Sequence, residues 1–260
     1  MTAENPPLLV SSPGGSILLL QLNVPEKRNA LATPLLEAIA NQLSIAATNA
    51  NCRIVILTGT SDIFAAGADI DELAIMDSND PIDSPRYKAW QSIRSFPKPL
   101  ITAVEGWCLG AGLELALSGD VIVAGEAARF GAPETNLGLI PGGGATALLS
   151  RCVGRGLASQ MIFSGKPIDA RQGQLFGLVT ELVESGKALE RAKQLASDWA
   201  NRSPLALVEA KASIRASDEL PISQQIREER RRFIQLLETD DAREGIAAFR
   251  EKRSPKWRGR

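Results

Sequence analysis

The alternation of apolar and polar positions divides the chain into short buried strands, small-residue turns and helices. Residues 8–10 and 16–22 read as a hairpin around Pro13, Gly14 and Gly15, and 23–30 as a loop carrying adjacent cations, Lys27 and Arg28. Thr33 and Pro34 then predict a helix start, with threonine as cap and proline at the first position. Leu35, Ile39 and Leu43 recur at fourfold spacing along that helix. Arg53–Gly59 is a buried strand closed by glycine. Phe64–Ile70 is a small-residue loop ending at Asp69, and Glu72 three residues later predicts a capping box. Residues 74–88 are polar, contain proline and lack a period, which predicts a flap or short helix.

Pro99–Gly106 is a second continuous apolar strand, and Asp120–Gly125 a third. Between them Gly110, Ala111 and Gly112 break the chain before a buried helix over Leu113–Ser118. A helix over 146–161, a strand over 178–183 and helices from Leu189 onward complete the pattern. The recurring strand, small-residue turn and helix point to an α/β fold of repeated βα or ββα units. The expected division is a core over 1–200 and a helical segment over 201–260.

Composition narrows the chemistry. The 260 residues carry a formal net charge of −1 and no histidine. Without histidine there is no Ser-His-Asp or Cys-His machinery and no His-ligated zinc, so acid–base work falls mainly to carboxylates. The near-zero charge argues against a nucleic-acid partner, whose affinity comes from phosphate neutralisation. Arg227–Arg232 is basic but interleaved with glutamates, which reads as a solvated helix face. No apolar run is long enough for a membrane span, and three scattered cysteines suit a reducing cytoplasm. A dinucleotide fingerprint fails at position 115, which is leucine, and no P-loop is present.

Candidate chemistry gathers at the small-residue turns. No Ser, Thr, Asp or Asn caps the turn at Gly110–Gly112, which leaves amide donors for an anion or developing oxyanion. Glu114 stands in the first turn of that helix among leucines, and Glu134 follows Pro133 at another helix or turn start. Each also has a structural reading, as a carboxylate favoured by the helix dipole. Cys108 reads as a small core residue and Asp69 as a cap. Trp107 is expected to pack on the strand or line a channel, and Trp199 and Trp257 to pack on helices or an interface.

Phe64–Ile70, Gly106–Ala116, Phe130–Glu134, Leu139–Gly142 and the C-terminal stretch Asp240–Arg253 resemble the crotonase (enoyl-CoA hydratase/isomerase) superfamily along nearly the whole chain. The resemblance extends to bacterial enoyl-CoA hydratases, including those named for 2,3-dehydroadipyl-CoA. It implies a crotonase-like spiral of ββα units with a C-terminal helical segment that packs in trimers or dimers of trimers. It implies an acyl-CoA thioester substrate and no separate cofactor or metal. Hydration of the 2,3 double bond is the expected reaction, with Δ3,Δ2-enoyl-CoA isomerisation and an RNA-binding homologue as alternatives.

The roles it implies are specific. The amides of Ala68 and Ala111 hold the thioester oxygen, and Glu114 and Glu134 are the catalytic pair. Gly142 helps position water. Lys27, Arg28, Ala66, Ala68 and Ile70 contact coenzyme A, with Phe233 and Lys252 supplied by a neighbouring subunit. Two departures stand out: Asp71 where many relatives have lysine, and Gly144–Ala147 where Gly-Gly-Thr-Gln is common.

Overall fold

The computed structural model of the chain describes residues 6–76 and 83–260. Its frame is a six-stranded sheet built from β1 (Leu8–Gly14), β2 (Ile17–Leu22), β3 (Ile54–Thr58), β5 (Leu100–Val104), β7 (Val121–Gly125) and β10 (Glu181–Val183). The strands lie in that order; β1 and β2 form the antiparallel hairpin, and the remaining neighbours are parallel. Parallel strands covered on both faces need apolar residues at successive positions, which is why β3 and β5 are buried along their full length. One face of the sheet packs on α1 (Thr33–Thr48) and α3 (Pro85–Arg94). The other receives α7 (Ala188–Ala200), whose Ala188, Ala192 and Ala196 lie against Ile54, Ile56, Ile101 and Val123.

A smaller sheet runs beside the first, in the order β4 (Ile63–Ala65), β6 (Trp107–Leu109), β8 (Arg129–Gly131) and β9 (Ile168–Asp169). The chain therefore passes three times from a long strand to a short one and on to a helical turn. The first pass leads from β3 through β4 to α2 (Ile70–Ala74), and the second from β5 through β6 to α4 (Ala111–Leu117). The third leads from β7 through β8 to a 3-10 turn at Glu134–Leu137. Ala68, Ala111 and Glu134 follow the short strands of successive passes, so stacking the short strands brings their loops to one edge. This is the ββα spiral expected from the sequence. After α5 (Ala145–Ser164) and α6 (Ala170–Leu175), helices α7, α8 (Pro204–Ala216), α9 (Ile222–Leu237) and α10 (Asp240–Arg250) complete the chain.

Several local expectations need correction. The residue before α1 is Ala32, with no side-chain cap; Thr33 is already helical, and its amide and hydroxyl both donate to Glu72. Glu72 is thereby drawn away from Asp69, so half of the capping box forms: the Asp69 carboxylate accepts from the amides of Asp71 and Glu72, while the Glu72 carboxylate accepts from Thr33 instead of the Asp69 amide. The strand at 99–106 ends at Val104, and the chain turns at Gly106 (φ 58°) into the separate β6. The buried helix begins at Ala111, two residues before the apolar pattern suggested. The helix expected over 146–161 spans 145–164, with a non-helical Gly154 inside it. Only Glu181–Val183 of the 178–183 segment pairs as strand; the amides of Leu178 and Val179 bond Gly173 instead. The expected flap at 74–88 falls in part outside the described residues, and its last residues begin α3.

Candidate active site

The short-strand edge opens into a cleft of about 670 Å³. Its lining includes Lys27, Arg28, Ala66, Ala68 and Ile70, together with Ala111, Glu114, Glu134 and Gly142, and the larger side chains of Tyr87, Trp90, Leu139 and Ile140. A mostly apolar cleft with a few convergent polar groups is the usual form of a small-molecule site. Every residue that the sequence analysis assigned to one subunit's site lies on this cleft.

The amide-bearing turns are in contact. A methyl group added to Gly112 would stand 2.4 Å from the Ala65 carbonyl oxygen, and one on Gly110 would stand 3.6 Å from the Gly67 Cα. Glycine at these positions lets the α4 turn close on the loop after β4. Both amides are aimed by their own peptide units, since C=O and N–H of a trans peptide point in opposite directions. The Gly67 carbonyl accepts from the Leu31 amide at 2.8 Å, so the Ala68 N–H points away from that loop. The Gly110 carbonyl accepts from the Glu114 amide at 3.1 Å along α4, so the Ala111 N–H leaves through the helix start. Gly110 takes φ 52°, ψ −124°, a conformation open to glycine, and offers no side chain as a cap.

The glutamates sit in unlike surroundings. Glu114 is buried in α4, and its Oε1 accepts from the amides of Gly143 at 2.7 Å and Ala145 at 3.0 Å. Burial pushes its carboxyl above the ordinary value, and those amides and Arg94 oppose the shift. Arg94 also donates to the Gly143 carbonyl at 2.6 Å, fixing the loop that grips Glu114. Glu134 is half-buried, and its Oε2 is enclosed with no hydrogen-bond partner among the described residues. Burial raises its carboxyl to about 6, and the Glu114 charge adds to the rise. A methyl on Gly110 would lie 3.1 Å from Glu134 Oε1, which places this carboxyl beside the Ala111 turn.

Other expectations resolve differently. Asp69 is a cap and also pairs with Lys27 at 2.9 Å, which lowers its carboxyl. Cys108 is a buried core residue. Trp107 lies half-exposed on β6 and does not line the cleft. Trp257 donates to the Asn201 carbonyl at 2.8 Å, and Trp199 packs on the α7 side of the core. Phe233, on α9, and Lys252, just past α10, lie outside this chain's own cleft. Arg231 and Arg232 pair with Glu228, and Arg232 also with Glu209, the arrangement of a charged helix face. Gly143 and Ala145 as holders of Glu114, Arg94 behind them, and Arg86 on the cleft were not legible in the sequence. Their signal was weak, because each acts across tens of residues through a backbone group or a bend of the chain.

Comparison with known proteins agrees with this geometry. The enoyl-CoA hydratase/isomerase family pattern matches residues 13–260. The 2,3-dehydroadipyl-CoA hydratase of Escherichia coli K12 is 47% identical over 252 residues, covering 97% of this chain and 99% of its own. The mitochondrial enoyl-CoA hydratase of Pongo abelii is 36% identical, covering 92% and 83% respectively. A crystal structure of an enoyl-CoA hydratase subunit from Geobacillus kaustophilus superposes with a TM-score of 0.94 at 34% identity, over 99% of this chain and 100% of that one. With matched length, matched fold and a cleft built at the ends of the three ββα passes, the chain belongs to the enoyl-CoA hydratase/isomerase family.

Proposed function

We propose that this protein adds water across the 2,3 double bond of a 2-enoyl-CoA thioester. The observation that carries the reading is the unequal pair of carboxylates beside two outward-pointing amides. Glu114 accepts two N–H bonds, which favour its charged form, whereas Glu134 has a buried oxygen with no donor among the described residues, which favours the acid. Glu114 therefore takes a proton from water as the oxygen bonds to C3. Electrons shift onto the thioester oxygen, held by the amides of Ala68 and Ala111. Glu134 then delivers its proton to C2, and the electrons return from that oxygen to complete the saturated thioester. Exchange of one proton between the pair and solvent resets the site. Removal of a comparable amide donor costs about 10²–10³ in turnover, and positioned proton transfer contributes about 10²–10⁴.

Gly142 lines the same cleft, where its amide would orient the water. Lys27 and Arg28 at the cleft wall suit the phosphates of coenzyme A. Ile222, Ile226, Phe233 and Leu237 form an exposed apolar stripe on α9, which suits burial in a trimer or dimer of trimers and would bring Phe233 and Lys252 to a neighbour's cleft. Arg86 reaches the cleft beside Tyr87, bonds the Leu31 carbonyl at 3.0 Å and pairs with Glu72 at 3.5 Å. An acyl chain ending in a second carboxylate, as in the substrate for which the E. coli relative is named, would share that guanidinium with Glu72.

The test is a rate comparison among crotonyl-CoA, a medium-chain 2-enoyl-CoA, an ω-carboxylated 2-enoyl-CoA and a 3-enoyl-CoA. Fast hydration of the 2-enoyl esters supports the reading. Rapid conversion of the 3-enoyl ester with negligible hydration would instead establish an isomerase, which needs Glu134 alone.

A further inference from the structure

Asn29 is fully buried, stands at φ 52°, and takes no part in the chemistry just described. Its carboxamide is spent on backbone groups. Oδ1 accepts from the Val24 amide at 2.9 Å, and Nδ2 donates to the carbonyls of Ile63 at 3.2 Å and Phe64 at 3.1 Å. The Asn29 amide returns to the Val24 carbonyl at 2.8 Å, closing the loop on itself. The flanking residues extend the grip into the loop that follows β4. The Arg28 carbonyl accepts from Ala66 at 3.0 Å, and the Leu31 amide donates to Gly67 at 2.8 Å. Residues 63, 64, 66 and 67 are thus all tied to the loop at 28–31, and the next amide is that of Ala68.

We propose that Asn29 is a positioning residue that aims the Ala68 amide at the thioester oxygen, an inference that rests on the hydratase reading above. The two amides are supported unequally. That of Ala111 is the first of a helix and shares the rigidity of α4. That of Ala68 sits in an extended loop, and its direction follows from the Gly67 carbonyl, which Leu31 holds in turn. Leu31 is placed by the left-handed turn at Arg28 and Asn29, and the Asn29 carboxamide fixes that turn to β4. The Lys27–Asp69 pair at the far end has a solvent-exposed lysine and contributes little by itself.

Asn29→Asp is the sharpest probe: it keeps shape and the acceptor while setting a carboxylate oxygen against two carbonyls. Asn29→Gly keeps the left-handed backbone, removes the carboxamide, and serves if the aspartate variant is insoluble. Turnover of crotonyl-CoA is expected to fall tenfold to a hundredfold, by more than KM rises, since misalignment costs less than loss of a donor. The red shift of bound 4-(dimethylamino)cinnamoyl-CoA, which reports polarisation of the thioester carbonyl, should fall by at least half at saturation. A lower melting temperature with red shift and kcat within twofold of wild type would reduce Asn29 to a structural residue and overturn the proposal, as would an effect confined to KM. If wild type itself neither hydrates crotonyl-CoA nor shifts the probe, the hydratase reading fails; if it does both and the variants retain both, only the role of Asn29 fails.

Discussion

Glu114 and Glu134 are the same residue type in one cleft, yet the fold makes them different reagents. The first is carried on a regular helix, fully enclosed, with two backbone amides on one oxygen. The second begins a short 3-10 turn, lines the cleft, and keeps one oxygen without a donor among the described residues. Burial raises both carboxyls, so burial alone would leave them alike. The difference comes from the donors: two amides of another loop hold the charge of Glu114 in a dry site, whereas at Glu134 burial outweighs the pull of its own amide and favours the proton. The Glu114 charge adds to the rise at Glu134, which favours the proton on Glu134.

The largest effect expected on breaking this comparison is on turnover. Glu134→Gln removes the transferable proton and should lower kcat by about 10²–10⁴ while CoA-ester affinity persists. Steady-state kinetics alongside a binding titration checks this, and near-wild-type turnover would make Glu134 merely a turn-starting carboxylate. A smaller loss is expected from Gly143→Ala, whose new methyl would stand 2.6 Å from Glu114 Oε2. Displacing that carboxylate should cost about tenfold to a hundredfold in kcat, measured at saturating substrate.

The third prediction concerns pH. With Glu134 as the acid, kcat/KM for hydration should fall as pH rises through an apparent pKa near 6. Glu114→Gln removes a charge that helps hold that proton, so the descending limb of its residual activity should move to lower pH. A limb that stays in place would show that the two groups are not coupled.

The smallest effect is on stability. Glu134 keeps its proton from the ordinary 4.5 up to about 6 in the folded chain, so its ionisation opposes folding. Stability should fall as pH rises through that window, and Glu134→Gln should gain about 1 kcal/mol at pH 7, after allowance for solvent screening at the cleft. Denaturant midpoints of both proteins at pH 4 and pH 7 measure it.

Much of the site was legible because its parts are local. Gly110 and Gly112 announce a turn that bears no cap, Glu114 follows within one helical turn, and Asp69 caps α2 where its spacing indicates. The misreadings arose where a group had a partner that the local pattern does not reveal. Glu72 fits a capping box by spacing, yet it serves Thr33 and Arg86 on two other helices. Thr33 fits a cap by type, yet its hydroxyl is claimed by Glu72. Leu178 and Val179 fit a strand by composition, yet their amides return to Gly173. Local propensity proposes a bond, and a partner brought from elsewhere can offer a better one.

The sequence alone determined the strand and helix alternation, the small-residue turns, the acidic residues available for catalysis and the lack of histidine, since these depend on side-chain type and short-range spacing. Tertiary structure decided which glutamate is gripped by amides and which is left bare, through Gly143 and Ala145 reaching Glu114 from about thirty residues away. It also decided where the Ala68 amide points, through a carboxamide on another loop. Both depend on hydrogen bonds between segments that meet only when the short strands stack, and the direction of such a bond is a property of the packed backbone.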